Sequence, residues 1–244
     1  MERLEKLLTE RFGEKRAAKL VDRFSKYMEM TLGWNEKVNL TSITEPAEFV
    51  EKHFLDSLSI MDSYEIEDAE KIIDIGTGGG FPGIPLAIVF PEKKFTLVDS
   101  LDKRMKIVQQ MADEIGLKNV TTVHGRAEDL GQSKQYREKF DLCVSRAVAN
   151  LSTLSEYCLP FVKVEGSFIA FKGPDAEEEA MAAENAIMEL GGALADIEEA
   201  GLFMDDGTDL LADVGHMLVH IDKESKTPKK YPRKAGIPSK NPLK

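Results

Sequence analysis

The sequence predicts an α/β protein: a Rossmann-like, mostly parallel seven-stranded sheet with helices on both faces, preceded by an N-terminal helical extension. Three observations lead there. From Lys71 onward, short apolar segments of strand type alternate with helical ones. The first such segment, KIIDIG, runs directly into a glycine-rich turn. Before Lys71, apolar residues recur at three- and four-residue steps and no stretch has convincing strand character.

Residues 2–32 carry Leu4, Leu7, Leu8, Ala17, Leu20, Val21, Phe24 and Met28 at helical spacing, with Gly13 dividing two helices. A further helix is expected from Glu48 to Ile60, its buried side formed by Phe49, Phe54, Leu55 and Leu58. KIIDIG reads as a buried parallel strand, and FTLVD (95–99), VTTVH (120–124), FDLCVS (140–145) and GSFIAFK (166–172) continue the series. The spacers Pro85–Phe90, Asp102–Gly116 and Ala149–Lys163 read as helices, as does a Glu/Ala-rich stretch over 175–190. Two β-like segments follow, near 194–203 and 214–221. Their junction, MDDGTD, contains an Asp-Gly turn signal, so they are expected to pair antiparallel at the sheet edge. The expected organisation is a helical extension over 1–66, a core domain over 67–222 and a basic arm over 223–244. Rich in proline and poor in apolar residues, the arm should be extended.

Composition narrows the class. With 42% hydrophobic and 31% charged residues the chain is globular rather than disordered. Its apolar runs fall short of the ~20 residues of a membrane span, so no membrane partner is expected. The charged start, MERLEKLLTERFGEK, lacks the apolar centre of a secretory signal, which points to a cytoplasmic protein. Cys143 and Cys158 are too few for a disulfide framework, and neither they nor the four histidines have metal-ligand spacing, so no metal is expected. The net charge of −11 is unevenly spread: residues 223–244 hold eight Lys/Arg and one acid, on a strongly acidic body. Such a run is either a solvated end or a phosphate-binding arm.

The turn after the first strand contains Gly76, Gly78, Gly79 and Gly80. Glycines there permit positive φ and let a ligand approach the backbone, at the sheet edge where doubly wound folds bind their ligands. A dinucleotide fingerprint needs G-x-G-x-x-G opening a helix; here Phe81-Pro82 interrupts it. S-adenosyl-L-methionine carries no phosphate, and a wider turn suits its methionine part. Asp99 ends the second strand, 23 residues after Gly76, where a carboxylate can accept hydrogen bonds from both ribose hydroxyls. Taken alone, Asp99 leaves a nicotinamide site and a methyl-donor site both open. Glu128, after the third strand, is placed to meet an adenine, or is simply a helix N-terminal charge.

In order along the chain stand NLTSI (39–43), HFLDSL (53–58), DIGTGGGFPGIPLA (74–87), LVDSLDKR (97–104), RAEDL (126–130), SRAVANL (145–151), FKG (171–173) and the ending PRKAGIPSKNPL. Together they resemble the bacterial small-subunit (16S) ribosomal RNA guanine-N7 methyltransferase family, also called glucose-inhibited division protein B, over nearly the whole chain. DIGTGGGFPG alone would indicate only the methyltransferase superfamily; HFLDS, SRAVA and the tail point to this family. The resemblance implies a class I S-adenosylmethionine-dependent methyltransferase fold. It also implies that Gly76, Phe81, Ala127, Glu128 and Arg146 line the cofactor site, to which the physical reading adds Gly78 and Asp99. The implied partner is small-subunit ribosomal RNA or its precursor particle, and a monomer is expected.

The chemistry agrees with that implication. Guanine N7 has an in-plane lone pair and no proton, so it can attack a sulfonium methyl in line without a general base. A cytosine-C5 enzyme would need a catalytic cysteine, yet Cys143 falls in an expected core strand and Cys158 in a helix. An adenine-N6 enzyme commonly carries Asn/Asp-Pro-Pro-aromatic after the fourth strand, where this chain has Ser145-Arg146-Ala147-Val148. Arg146 and Lys172, at the ends of the fourth and fifth strands, are the expected catalytic-edge cations. Arg146 suits guanine O6, a phosphate or the cofactor carboxylate, and Lys172 suits RNA. His53 and Asp56, one helical turn apart, belong either to the substrate pocket or to local pairing. Asn39, on resemblance, sits in a loop over the site, and Arg233 and Lys234 are the expected RNA contacts of the tail. Competing readings are a methyltransferase for another substrate, a non-catalytic RNA-binding module on this fold, and a nicotinamide-dependent oxidoreductase, which Phe81-Pro82 disfavours.

Overall fold

The computed structural model describes residues 1–146, 149–212 and 214–244. Helices α1 (Glu2–Phe12) and α2 (Glu14–Asn35) flank Gly13. Helix α3 (Pro46–Phe49) passes into a π-helical turn, Val50–Leu55, and a 3-10 turn, Leu58–Ile60. The short α4 (Tyr64–Asp68) begins at Ser63, whose hydroxyl caps it by accepting from the Ile66 N–H. The alternating part follows: β1 (Lys71–Ile75), α5 (Gly83–Val89), β2 (Lys94–Asp99), α6 (Asp102–Glu114), β3 (Val120–His124), α7 (Ala127–Gln132), β4 (Phe140–Arg146), α8 (Leu151–Cys158), β5 (Val162–Lys172), α9 (Ala176–Glu189), β6 (Gly192–Glu199) and β7 (Met217–Lys223). Helix α10 (Ile237–Lys240) lies in the tail.

The seven strands form one sheet in the order β3-β2-β1-β4-β5-β7-β6. β1 to β5 pair in parallel, and β7 joins β5 and β6 antiparallel. The order reverses between β1 and β4, which makes the carboxyl ends of those strands the switch point. Side chains alternate across the strands. Ile72, Leu142, Val144, Ile169 and Phe171 share one buried cluster with α1, α2, α5 and α6, whereas Ile73, Ile75, Cys143, Phe168 and Ala170 share another with α8 and α9. The N-terminal helices thus lie in the same core as one sheet face. Phe24, Phe49 and Phe54 stack edge to face there, fully buried. Removing each such side chain from water is worth roughly 1.5–3 kcal/mol.

Three expectations need correction. The helix expected over 149–163 is only Leu151–Cys158, because Pro160 sits in a 3-10 turn and β5 already begins at Val162. MDDGTD does not join β6 to β7 directly. It makes a small turn of its own within residues 200–216, where Phe203 bridges Asp209 and Gly207 takes φ 82°. The tail is packed rather than extended: Lys223, Thr227 and Tyr231 are buried, and Arg137 donates to the carbonyls of Thr227 (2.7 Å) and Tyr231 (2.8 Å).

Gly80 has φ 93°, and a Cβ there would fall 2.3 Å from the Tyr27 hydroxyl and 2.7 Å from Ile84. Gly80→Ala is expected to destabilise the fold by about 2 kcal/mol or more. Gly33, near the end of α2, has nothing within 4 Å of its would-be Cβ, so Gly33→Ala should stabilise by up to about 1 kcal/mol. Urea unfolding of both variants checks the opposite signs.

Candidate functional site

At the switch point lies a cavity of about 330 Å³, lined by Ile75, Gly76, Val98, Asp99, Ser100, Leu101, Arg104, Gly125, Arg126, Ala127, Glu128, Ala149, Tyr157 and Ser239. The glycine turn enters it through Gly76. Asp74, wholly buried at the end of β1, accepts from the Thr77 hydroxyl (2.6 Å) and the Gly83 N–H (2.8 Å) through Oδ2. The N–H groups of Gly76 and Thr77 donate to the Val98 carbonyl. Gly76 and Gly78 take φ 75° and 57°, which glycine adopts without strain. The first N–H groups of α5 are consumed within the protein, Gly83 by Asp74 and Ile84 by the Gly80 carbonyl. This is the physical reason the turn does not offer a pyrophosphate the open helix N-terminus it needs.

Asp99 is held by the same turn. Its Oδ2 accepts from the Gly78 N–H (3.1 Å) and its Oδ1 from the Leu101 N–H (2.9 Å). A carboxylate has about four acceptor positions, so each oxygen keeps one for a ligand hydroxyl. Glu128, buried in the first turn of α7, accepts from the Gly236 N–H (2.9 Å) through Oε1.

Beside the cavity is a second group, built across the helical extension. Arg146, at the end of β4, donates to Asp56 Oδ2 (2.5 Å), the Lys52 carbonyl (2.9 Å) and His53 Nδ1 (3.0 Å), and its guanidinium lies over the Phe81 ring. Because Nδ1 accepts from a guanidinium, the His53 proton sits on Nε2 and is donated to Thr41 Oγ1 (2.6 Å). Burial, then the Arg146 charge, push His53 down to about 3, so the imidazole is neutral. It stacks on Phe81 with ring centres 4.2 Å apart. Burial pushes the Asp56 carboxyl up, but His216 (2.7 Å) and Arg146 outweigh this and hold it below the usual carboxylate range. The π-helical turn brings Lys52, His53 and Asp56 to one arginine.

Gly76, Asp99, Ala127 and Glu128 therefore line one cavity, with Gly78 bonded to Asp99; Phe81, Arg146, His53 and Asp56 form the adjoining group. Asn39 is exposed, and its carbonyl accepts from Arg104 (2.8 Å). Lys172 faces inward, onto the Ala149 carbonyl (2.9 Å) and Glu179 (2.7 Å), rather than outward toward RNA. Arg233 is likewise tied to buried Glu156, while Lys234 is exposed. Ala147 and Val148 of SRAVANL lie outside the described residues. Cys143 and Cys158 are fully buried and neither lines the cavity. Sequence reasoning missed Arg104, Tyr157 and Ser239. Arg104 carried a signal, standing five residues after Asp99 in LVDSLDKR; Tyr157 and Ser239 reach the cavity only through helix and tail packing.

A family model described as rRNA small subunit methyltransferase G matches residues 20–201. The chain is 50% identical over 218 residues to the Ribosomal RNA small subunit methyltransferase G of Alkaliphilus metalliredigens (strain QYMF), covering 89% of this chain and 88% of that one. The chain belongs to the rRNA small subunit methyltransferase G family. The protein of that family from Brevibacillus brevis (strain 47 / JCM 6285 / NBRC 100599) is 47% identical over 241 residues, covering 96% of this chain and 98% of the relative. Among solved structures, an O-methyltransferase from Bacillus cereus in complex with SAH matches with TM-score 0.54 at 18% identity, over 81% of this chain and 90% of that one. A putative methyltransferase in a complex with the Haloferax volcanii Trm112 activator matches with TM-score 0.55 at 12% identity, over 80% and 98%. These two likenesses show the fold, a methyltransferase-type α/β core, which in this chain follows the helical extension. Among the described residues no helix is long and apolar enough to cross a membrane.

Burial, partly offset by the Thr77 and Gly83 hydrogen bonds, lifts the Asp74 carboxyl from 3.8 to about 6. Between those values the folded chain keeps a proton that the unfolded chain releases. The resulting stabilisation is fully present below pH about 4 and is lost as pH rises through about 6. Asp74→Asn should remove this dependence. Without added ligand, wild type should gain on the variant by on the order of 3 kcal/mol as pH falls from about 7 to about 4. Urea unfolding across that range measures it, and parallel curves would show that Asp74 contributes none of the slope.

Proposed function

We propose that this protein transfers a methyl group from S-adenosyl-L-methionine to N7 of a guanine in small-subunit ribosomal RNA. What carries the reading is the pairing of family membership with the acceptor set of the switch-point cavity. Asp99, with one acceptor position left on each oxygen, suits a ribose diol. Glu128 and the apolar walls from Val98, Leu101 and Ala127 suit an adenine. Gly76 and Gly78 let the methionine part approach the backbone, and the first N–H groups of α5 are already taken by Asp74 and the Gly80 carbonyl rather than left for a pyrophosphate.

Bound S-adenosyl-L-methionine supplies an electrophilic methyl on a sulfonium. The residues of the chain orient and shield. Asp99 and Glu128 fix the nucleoside end. Phe81, stacked on neutral His53, presents an apolar surface beside the turn that excludes water. Arg146, committed to buried Asp56 and to His53, braces the end of β4 against the helical extension beside the cavity. Lys172 acts on the same edge by holding the Ala149 carbonyl, which belongs to the segment after β4. Guanine N7 attacks with its own lone pair, so no side chain has to remove a proton. The exposed Lys226, Lys229, Lys234, Lys240 and Lys244 give the acidic body a local basic strip for phosphate.

Asp99→Ala should weaken donor binding at least about tenfold in calorimetry, since it removes a charge-assisted pair of hydrogen bonds; unchanged affinity would defeat the cofactor assignment. Small-subunit rRNA from cells lacking the protein should miss one 7-methylguanosine, restored by wild type and not by Asp99→Ala. Retention of every such mark, with no second enzyme making it, would defeat the guanine-N7 reading.

A further inference from the structure

The tail does more than present lysines. Its first part is pinned at the ends of three helices: Gln132 of α7 donates to the Pro232 carbonyl (2.8 Å), and Lys223 to the carbonyls of Leu159 (2.8 Å) and Leu190 (3.1 Å), which follow α8 and α9. Next comes Arg233. Its backbone N–H (2.7 Å) and Nε (3.0 Å) donate to Glu156 Oε1, and its Nη2 donates to Oε2 (2.7 Å). Glu156 has no exposure to water. The same Nη2 also donates to the Asn241 carbonyl (2.8 Å). One guanidinium therefore closes the base of a loop over residues 233–241.

That loop reaches the cavity twice. Gly236, at φ 81°, aims its N–H at Glu128 Oε1 (2.9 Å). Ser239 forms part of the cavity wall, and the Pro238 carbonyl accepts from Thr153 (3.2 Å). A glutamate side chain has several rotatable bonds, and the Gly236 hydrogen bond restricts them before any ligand arrives. A guanidinium committed to a fully buried carboxylate is, conversely, a poor RNA contact, because taking it away would strand the carboxylate without a partner.

We infer that Arg233 is a positioning residue of the methyl-donor site: braced on Glu156 and Asn241, it holds the 233–241 loop so that Gly236 orients Glu128 and Ser239 walls the cavity. This rests on the proposal that the cavity binds S-adenosyl-L-methionine. It assigns the middle of the basic tail to the donor and leaves RNA to the exposed lysines around it.

The test compares full-length wild type, Arg233→Ala, Arg233→Lys, Ser239→Trp and Asp99→Ala. Donor affinity is read by calorimetry, and the separate KM values for donor and for small subunits from cells lacking the enzyme are read by steady-state methylation. Arg233→Ala should raise the donor Kd and donor KM about tenfold, the scale of one hydrogen bond to a charged group. Its kcat at saturating donor and its KM for the subunit should stay within about twofold. Arg233→Lys, which keeps a charge on Glu156, should recover most of the donor affinity. Ser239→Trp, a change at an exposed position that leaves the core alone, should weaken donor binding by narrowing the cavity. If Arg233→Ala does not fold, this variant tests the loop's place at the cavity and Arg233→Lys tests the guanidinium's hold on it. A subunit KM that rises in Arg233→Lys with donor KM unchanged would then overturn the inference. A raised subunit KM with unchanged donor KM in Arg233→Ala would return Arg233 to RNA and overturn the inference, as would wild-type donor affinity in Ser239→Trp. If wild type binds no donor, or Asp99→Ala binds it equally well, the cofactor reading itself fails. If Asp99→Ala loses the donor while Arg233→Ala or Ser239→Trp keeps it, only the loop inference fails.

Discussion

The turn that shapes the cavity hangs from a single carboxylate oxygen, Asp74 Oδ2, buried where water cannot reach it. Thr77 and Gly83 donate to that oxygen from the two ends of the turn. Both backbone directions are thereby set, and the glycines between them take the positive φ values the path requires. Gly83 must itself be glycine, because a Cβ there would sit 2.8 Å from the same carboxylate oxygen. Placement of Asp99 follows, since the Gly78 N–H that orients it belongs to this turn. An unpaired buried polar group is costly, so the carboxylate and the turn require each other.

The helical extension completes what the sheet begins. Tyr27, from α2, donates its hydroxyl to the Gly79 carbonyl (2.6 Å), a second hold on the turn besides Asp74. The π-helical turn then brings His53 flat against Phe81 and Asp56 against Arg146. Asp56 is fully buried, so its pairing with Arg146 and His216 is an obligation on the fold. The group adjoining the cavity is thus shared by four parts of the chain: the extension, the glycine turn with Phe81, the end of β4 and the residue before β7.

Much of this was legible in the sequence because it is local. Ile72 and Ile73 point to opposite faces, both buried, which is why KIIDIG reads as an apolar run rather than an alternating one. A cluster of glycines after such a run has few explanations other than a turn needing positive φ. The partners were not legible. Arg146 and Asp56 are 90 positions apart, and Gly236 and Glu128 are 108 apart. Nothing in either neighbourhood encodes those meetings, because a side chain's partner is set by how whole elements pack. The tail misled for a related reason. Its proline and lysine content suggests a solvated arm, yet a few buried anchors such as Tyr231 and Lys223 suffice to dock it.

The excursion between β6 and β7 bears on how the molecule comes together. It returns across the sheet edge to α1: Arg3 donates to the Leu210 carbonyl, 207 positions away, Lys6 pairs with Asp206, and Arg11 reaches the Phe203 carbonyl and Asp205. These contacts have among the largest sequence separations the chain permits. Closing such loops costs entropy before any contact repays it, so high contact order slows folding. The helix nearest the N-terminus thus reaches its final polar partners only when the antiparallel edge of the sheet has formed. The first helix and the segment before β7 therefore share one set of polar contacts, and loss of either leaves the other without them.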